Sequence, residues 1–206
     1  MGARAGIVKR QRTTTNGQIA KPLKIVITGP FSAGKTTLIK SISEVAIVGT
    51  ERDVTDETRS IKERTTVAMD FGRITFAQDL TLFLFGTPGQ RRFEVMWEIL
   101  SEGMIGFILL VHAADDRSVE EAAHILGTFR QYADVPYVIG VSHLDEAKGS
   151  KDEIFAKIRE ALDLPDGVEM IGCDPRERED VKGLMLEILY EVMRRIETPA
   201  AAAARR

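Results

Sequence analysis

The chain has 206 residues, 44% of them hydrophobic and 29% charged, with a formal net charge of −3. That balance fits one globular domain with a real core and excludes disordered and fibrous classes. A single cysteine, Cys173, excludes a disulfide framework and fits a reducing, cytoplasmic setting.

The charge is unevenly placed. Residues 1–24 carry Arg4, Lys9, Arg10, Arg12, Lys21 and Lys24 and no acid, leaving about −9 for the remainder. Residues 1–21 are expected to form a flexible basic arm able to contact an anionic surface. The acidic remainder argues against nucleic acid as the main partner. No apolar run reaches the roughly 18 residues of a transmembrane helix, and no apolar stretch follows the basic start as a signal peptide needs. Gly6 stands where myristoylation calls for Ser or Thr, and the terminal "AAAARR" has no cysteine, so no lipid anchor is expected.

From residue 22 the chain alternates apolar runs with amphipathic stretches. "LKIVITG" (23–29) reads as a buried strand and "KTTLIKSISEVA" (35–46) as a helix. Residues 47–66 are polar, charged and aperiodic, a loop of the length usually kept for function. "VAMDFGRITFA" (67–77) and "LTLFLFGT" (80–87) alternate as a hairpin around "QD", and "RRFEVMWEILSEG" (91–103) is helical. "MIGFILLVH" (104–112) is a strand. A Ser-x-x-Glu cap at 118–121 opens a helix over 118–133. "PYVIGVSHLD" (136–145) is a strand entering a loop, followed by a helix at 151–162, a short strand at 167–173 and a last helix at 179–197. Such alternation predicts an α/β fold with a mostly parallel sheet covered by helices, and ligands at the carboxyl ends of its strands. One domain spans 22–197, and 198–206 is a tail.

The spacing of Gly29, Gly34, Lys35 and Thr36 in "GPFSAGKTT" satisfies G-x-x-x-x-G-K-[ST] between a strand and a helix, the pattern of a P-loop NTPase. Glycine at the tight positions lets backbone N–H groups of the loop, through Ser32 and Ala33, converge on phosphate. The helix opening at Lys35, Thr36 and Thr37 points its positive end at the same anion. Lys35 brings a charge to the terminal phosphates and the Thr36 hydroxyl is a Mg²⁺ ligand.

With "KIVITGPFSAGKTT", "TTVAMDFGRI" and "LFGTPGQRRF", the chain resembles Ras-like small GTPases over about residues 22–197. It is most similar to the bacterial gliding-motility (Mgl) type and its actinobacterial relatives encoded beside roadblock-domain proteins. The resemblance implies a Ras-like G domain that binds GTP and GDP with Mg²⁺ and acts as a switch. It implies Thr66 as a switch I threonine on Mg²⁺ and γ-phosphate, Gly89 as an amide donor to that phosphate, and Gln90 as the residue orienting the attacking water. Asp145 would read guanine N1–H and its exocyclic amine, with Ser142 and His143 in the same motif and Cys173 and Asp174 in the loop at the guanine carbonyl. A roadblock/LC7-domain regulator on the switch face is the implied partner, with Phe93, Met96 and Trp97 as candidate anchors.

The sequence departs from the Ras-like pattern at three places. Gly86 stands where an aspartate usually holds a Mg²⁺-bound water, so weaker Mg²⁺ binding is expected. Ser142-His143-Leu144-Asp145 replaces N-K-x-D, keeping the aspartate but losing the bridging amide and the lysine stem. Phe31 puts a ring where small residues are usual, which obstructs an incoming arginine finger and predicts slow hydrolysis relying on a cis arginine among Arg59, Arg64 and Arg91. His112, His124 and His143 form no metal-ligand pattern. A nucleotide-holding scaffold without turnover and a P-loop kinase are the competing readings.

Overall fold

The apolar runs at 23–29 and 104–112 are too continuous for a strand wetted on one face. In the computed structural model, which describes residues 22–46, 69–76 and 80–203, both lie inside a six-stranded sheet. The basic arm at 1–21 and the loop at 47–66, with Thr66, Arg59 and Arg64, lie outside the described residues.

In chain order the elements are β1 (Leu23–Thr28), α1 (Lys35–Ile42), β2 (Asp70–Phe76), β3 (Leu80–Gly86), α2 (Glu94–Ser101), β4 (Met104–His112), α3 (Asp116–Tyr132), β5 (Tyr137–Ser142), α4 (Lys151–Ala161), β6 (Met170–Gly172) and α5 (Arg178–Ala203). The strand order is β2-β3-β1-β4-β5-β6, with β2 antiparallel to β3 and every other pairing parallel. The expected α/β class is what the chain adopts.

Successive side chains of a strand point to opposite faces, and both faces here are buried. Ile25 and Ile27 of β1 and Ile108 and Leu110 of β4 join Leu38, Ile39 and Ile42 of α1 and Val181, Leu184, Met185 and Ile188 of α5. Val26, Phe107, Leu109 and Val111 face the other way, into Trp97 of α2, Ile125, Leu126 and Phe129 of α3, and Ile158 of α4. This double cover explains the unbroken hydrophobic runs.

Three helix boundaries differ from the sequence expectation. Helix α1 stops at Ile42, four residues early, because the chain turns to pair with β2: Glu44 N–H donates to Arg73 O, and its carboxylate accepts from Thr75. Helix α3 begins at Asp116, and Asp115 is its cap, accepting from Arg117 N–H. Ser118 is instead buried within α3, its Oγ accepting from His112 N–H and tying the helix to the end of β4. The capping box sits on α4, between Ser150 and Glu153. Finally, α5 continues to Ala203, so the expected tail at 198–206 starts as helix.

Candidate functional site

The P-loop leaves β1 at Gly29, where φ is +142° and a Cβ would lie 2.1 Å from Leu110 O, so no side chain is possible there. Ser32 and Gly34 also take positive φ, at 66° and 96°, and curl the loop into the start of α1. Lys35 is buried, its Nζ donating to Gly29 O at 2.7 Å and Pro30 O at 2.5 Å. Burial pushes its pKa down to about 8, opposed by the charges of Asp70 and Glu121. Backbone carbonyls hold this cation, and an anion brought against it would favour its charged form.

Thr36 Oγ1 donates to Asp70 Oδ2 at 2.5 Å. Asp70 is directly opposite Gly86 in the β2–β3 ladder, so the two positions face the same side of the sheet. A Cβ on Gly86 would come within 3.0 Å of Asp70 Cβ and 3.2 Å of its Oδ2. The carboxylate missing at residue 86 is therefore supplied from the neighbouring strand, through space that glycine leaves open. The charge expected to be lost at Gly86 is thus present beside Thr36, on β2. The Thr36 hydroxyl and Asp70 carboxylate are hard oxygen donors, the kind Mg²⁺ takes beside phosphate oxygens and water. They fit that ion, which when bound would neutralise charge on the phosphates. Among the described residues no cluster of three or more His, Cys, Asp or Glu offers another metal site.

After β3, Thr87 Oγ1 donates to Thr28 Oγ1 at 2.9 Å and Thr87 N–H to Ile27 O, fixing the chain against β1. Gly89 then presses on the P-loop so closely that a Cβ there would meet Phe31 N at 2.5 Å and Lys35 Nζ at 2.8 Å. Gln90 follows, exposed. Trp97 is fully buried and donates its indole N–H to Pro88 O at 2.9 Å. It belongs to the core and braces this segment from behind, and so is no docking anchor. Phe93 and Met96 are half-buried, and the exposed apolar residues of α2 are Val95 and Ile99. Phe31 is 66% exposed on the P-loop.

At the other end, Ser142 is completely buried, its Oγ 2.9 Å from Ala33 O and 3.1 Å from Val111 O. One hydroxyl thus stands between the P-loop and β4, its single hydrogen within reach of a carbonyl of each. His143, at φ 56°, stacks its ring on His112 with centroids 3.7 Å apart and planes 5° from parallel. Burial, then the neighbouring His143, holds the His112 pKa below its ordinary value. Asp145 is exposed beyond them. In the following loop Cys173 N–H donates to Val141 O and Asp174 N–H to Asp180 Oδ2. The Cys173 thiol is buried and pushed up to about 12, chiefly by desolvation. Pro175 packs 2.7 Å from where a Cβ of Gly34 would lie, joining this loop to the P-loop.

These segments meet in one cleft of about 1190 Å³ along the carboxyl ends of the strands. From the P-loop and α1 it takes Ser32, Gly34, Lys35, Thr36 and Thr37. Asp70, Gly89 and Gln90 line its middle, and His143, Asp145, Cys173 and Asp174 its far end. Gly29, Ala33 and Ser142 stand behind the lining, acting through backbone and support. Thr66 is outside the described residues.

Residues 48–195 match the family described as conserved hypothetical ATP binding protein. The chain belongs to that ATP binding family. The matched segment starts after the P-loop, so "GPFSAGKTT" is additional to it. The chain is 31% identical over 134 residues to the uncharacterized protein MJ1339 of Methanocaldococcus jannaschii, covering 65% of this chain and 77% of that one. It is 23% identical over 178 residues to translation initiation factor IF-2 of Syntrophobacter fumaroxidans, covering 84% of this chain and 17% of the factor. Membership of the ATP binding family and the P-loop together make this a nucleotide-binding protein.

Sequence reasoning missed Asp70, the His112–His143 stack, the Trp97 brace and Arg176. Only Asp70 left a usable trace, as the acid that opens β2.

Proposed function

We propose that this protein is a guanine-nucleotide switch that binds GTP and GDP with Mg²⁺ and hydrolyses GTP slowly. The observation that carries this reading is that one cleft holds Lys35, the Thr36–Asp70 oxygen pair, Gln90 and, at its far end, the exposed Asp145 carboxylate. A carboxylate accepts two hydrogen bonds side by side, matching the N1–H and exocyclic amine of guanine. Adenine offers an acceptor nitrogen at the corresponding ring position and would be repelled there. In this reading Lys35 and the P-loop amides hold the phosphates, Gly89 N–H meets the terminal one, and Gln90 orients water. Phe31 obstructs an arginine from outside, which is why turnover is slow. A roadblock/LC7-domain regulator reads the exposed face bearing Phe31, Val95 and Ile99.

The family description favours a second reading, in which the base is adenine. Titrating nucleotide-stripped protein with labelled GDP and ADP, with and without Mg²⁺ and beside Asp145→Ala, separates them. The expected result is at least about a tenfold preference for GDP that Asp145→Ala abolishes, a loss on the scale of one good bidentate contact. Equal or tighter ADP binding would overturn the guanine reading. Turnover of GTP, measured for the wild type and Phe31→Gly, then distinguishes a switch from a static scaffold. No hydrolysis in either protein would leave only the scaffold.

A further inference from the structure

The base end of the cleft holds an arginine with no role so far. Arg176 follows the Cys173-Asp174 loop and lines the cleft beside Asp145. Asp174 grips it from one side: Arg176 Nε lies 2.9 and 3.1 Å from the two carboxylate oxygens, and Nη2 lies 2.7 Å from Oδ2. The backbone N–H of Arg176 also donates to Asp174 Oδ1 at 2.9 Å. A guanidinium is a rigid planar fork with five donors. Gripping Nε and Nη2 fixes its plane and leaves the end-on edge, Nη1 with the second hydrogen of Nη2, for a ligand.

That edge is next to the base-reading carboxylate. Arg176 Nη2 lies 4.0 Å from Asp145 Oδ2, within Coulombic reach but beyond a hydrogen bond, so an acceptor and a donor atom side by side on one ligand can meet the two. The loop's own amides are engaged, since Cys173 N–H donates to Val141 O and Asp174 N–H to Asp180 Oδ2. The donor at this corner of the cleft is therefore a side chain. His143 is turned onto His112 and does not compete for the place.

We infer that Arg176 is a specificity-determining residue that donates to the carbonyl oxygen O6 of a guanine base while Asp145 accepts from N1–H and the exocyclic amine. The inference rests on the guanine reading above. Acceptor and donor side by side match the donor and acceptor edge of guanine, and Arg is the side chain that most often reads guanine O6 and N7. At the same place adenine carries an amino group, which the guanidinium repels. Arg176 thereby supplies discrimination that the incomplete Ser142-His143-Leu144-Asp145 motif has lost. Asp174 acts as a positioning residue, through Arg176.

The test uses four nucleoside diphosphates against full-length protein: GDP, ADP, the inosine diphosphate that keeps O6 and N1–H but lacks the amine, and the 2-aminopurine riboside diphosphate that keeps the amine but lacks O6 and the N1 hydrogen. Arg176→Ala should weaken GDP and the inosine analogue by about tenfold or more and leave the 2-aminopurine analogue within about twofold. Arg176→Lys, which keeps charge without the fork, should fall between. Asp174→Asn should reproduce part of the loss. Wild-type preference for GDP that survives Arg176→Ala would overturn this inference and leave the guanine reading standing. A wild type without GDP preference would overturn the guanine reading, and this role with it. Arg176 is largely exposed, so the variant changes the cleft and not the core.

Discussion

A carboxylate beside the P-loop threonine matters more than the strand it comes from. Asp70 on β2 and Gly86 on β3 are opposite one another, and Gly86 gives up a side chain so that Asp70 can reach Thr36. Removing that carboxylate should weaken Mg²⁺-dependent nucleotide binding by about 10–100-fold, the usual cost of losing an acid that supports a metal site. Asp70→Ala should therefore bind GDP almost as well without Mg²⁺ as with it, as measured by fluorescent-nucleotide titration across a Mg²⁺ series. A variant whose affinity still rises with Mg²⁺ as steeply as the wild type would remove Asp70 from the site. The phosphate cradle was legible from "GPFSAGKTT" because its glycines and lysine stand at fixed chain positions. Asp70 was not, because its place depends on ladder register. A two-residue turn at "QD" would set Phe71 opposite Gly86. The strands are in fact separated by residues 77–79 and pair Phe76 with Leu80. One residue of slip exchanges the two faces of a strand, and with it an aspartate for a phenylalanine.

At the scale of elements, strands were easier to read than helix ends. Strands β1 to β5 follow apolar runs of five or more residues or clear alternation, and β4 starts and stops where the sequence suggested. Helix starts depend on single polar side chains, and near α3 both Asp115 and Ser118 qualify. The tertiary contact between Ser118 and the end of β4 decides in favour of Asp115. Helix α2 shows the same limit. Its Trp97 reads as a surface anchor, but it packs against Phe129 and holds the segment before Gly89 through Pro88 O. Trp97→Phe keeps most of the packing and deletes that bond, so it should cost about 1 kcal/mol of stability by denaturant titration. It should also raise hydrogen exchange of the Gly89 and Gln90 amides above that of the β1 amides. Unchanged exchange there would mean that Thr87 alone anchors the segment.

For the molecule as a whole, the cleft is where the sheet's loops are joined, and Lys35 is the cation buried at that junction. Desolvation lowers its pKa from 10.5 to about 8 in the folded chain. Below about pH 8 both folded and unfolded chains carry the proton, and folding bears the full cost of burying the charge. Between about 8 and 10.5 the unfolded chain binds more protons, so this group makes the free protein more stable as pH rises, by about 3 kcal/mol in all. Bound phosphate reverses the balance, since an anion against Lys35 favours its charged form. The difference in stability between wild type and Lys35→Met should therefore shift toward the wild type from pH 8 to 10.5 in the free protein. In the same window GDP should lose affinity for the wild type with rising pH and be bound with proton uptake, as read by calorimetry in buffers of different ionisation enthalpy. A pH-independent difference from Lys35→Met, together with GDP binding that takes up no proton, would mean that Lys35 is already paired and charged in the free fold.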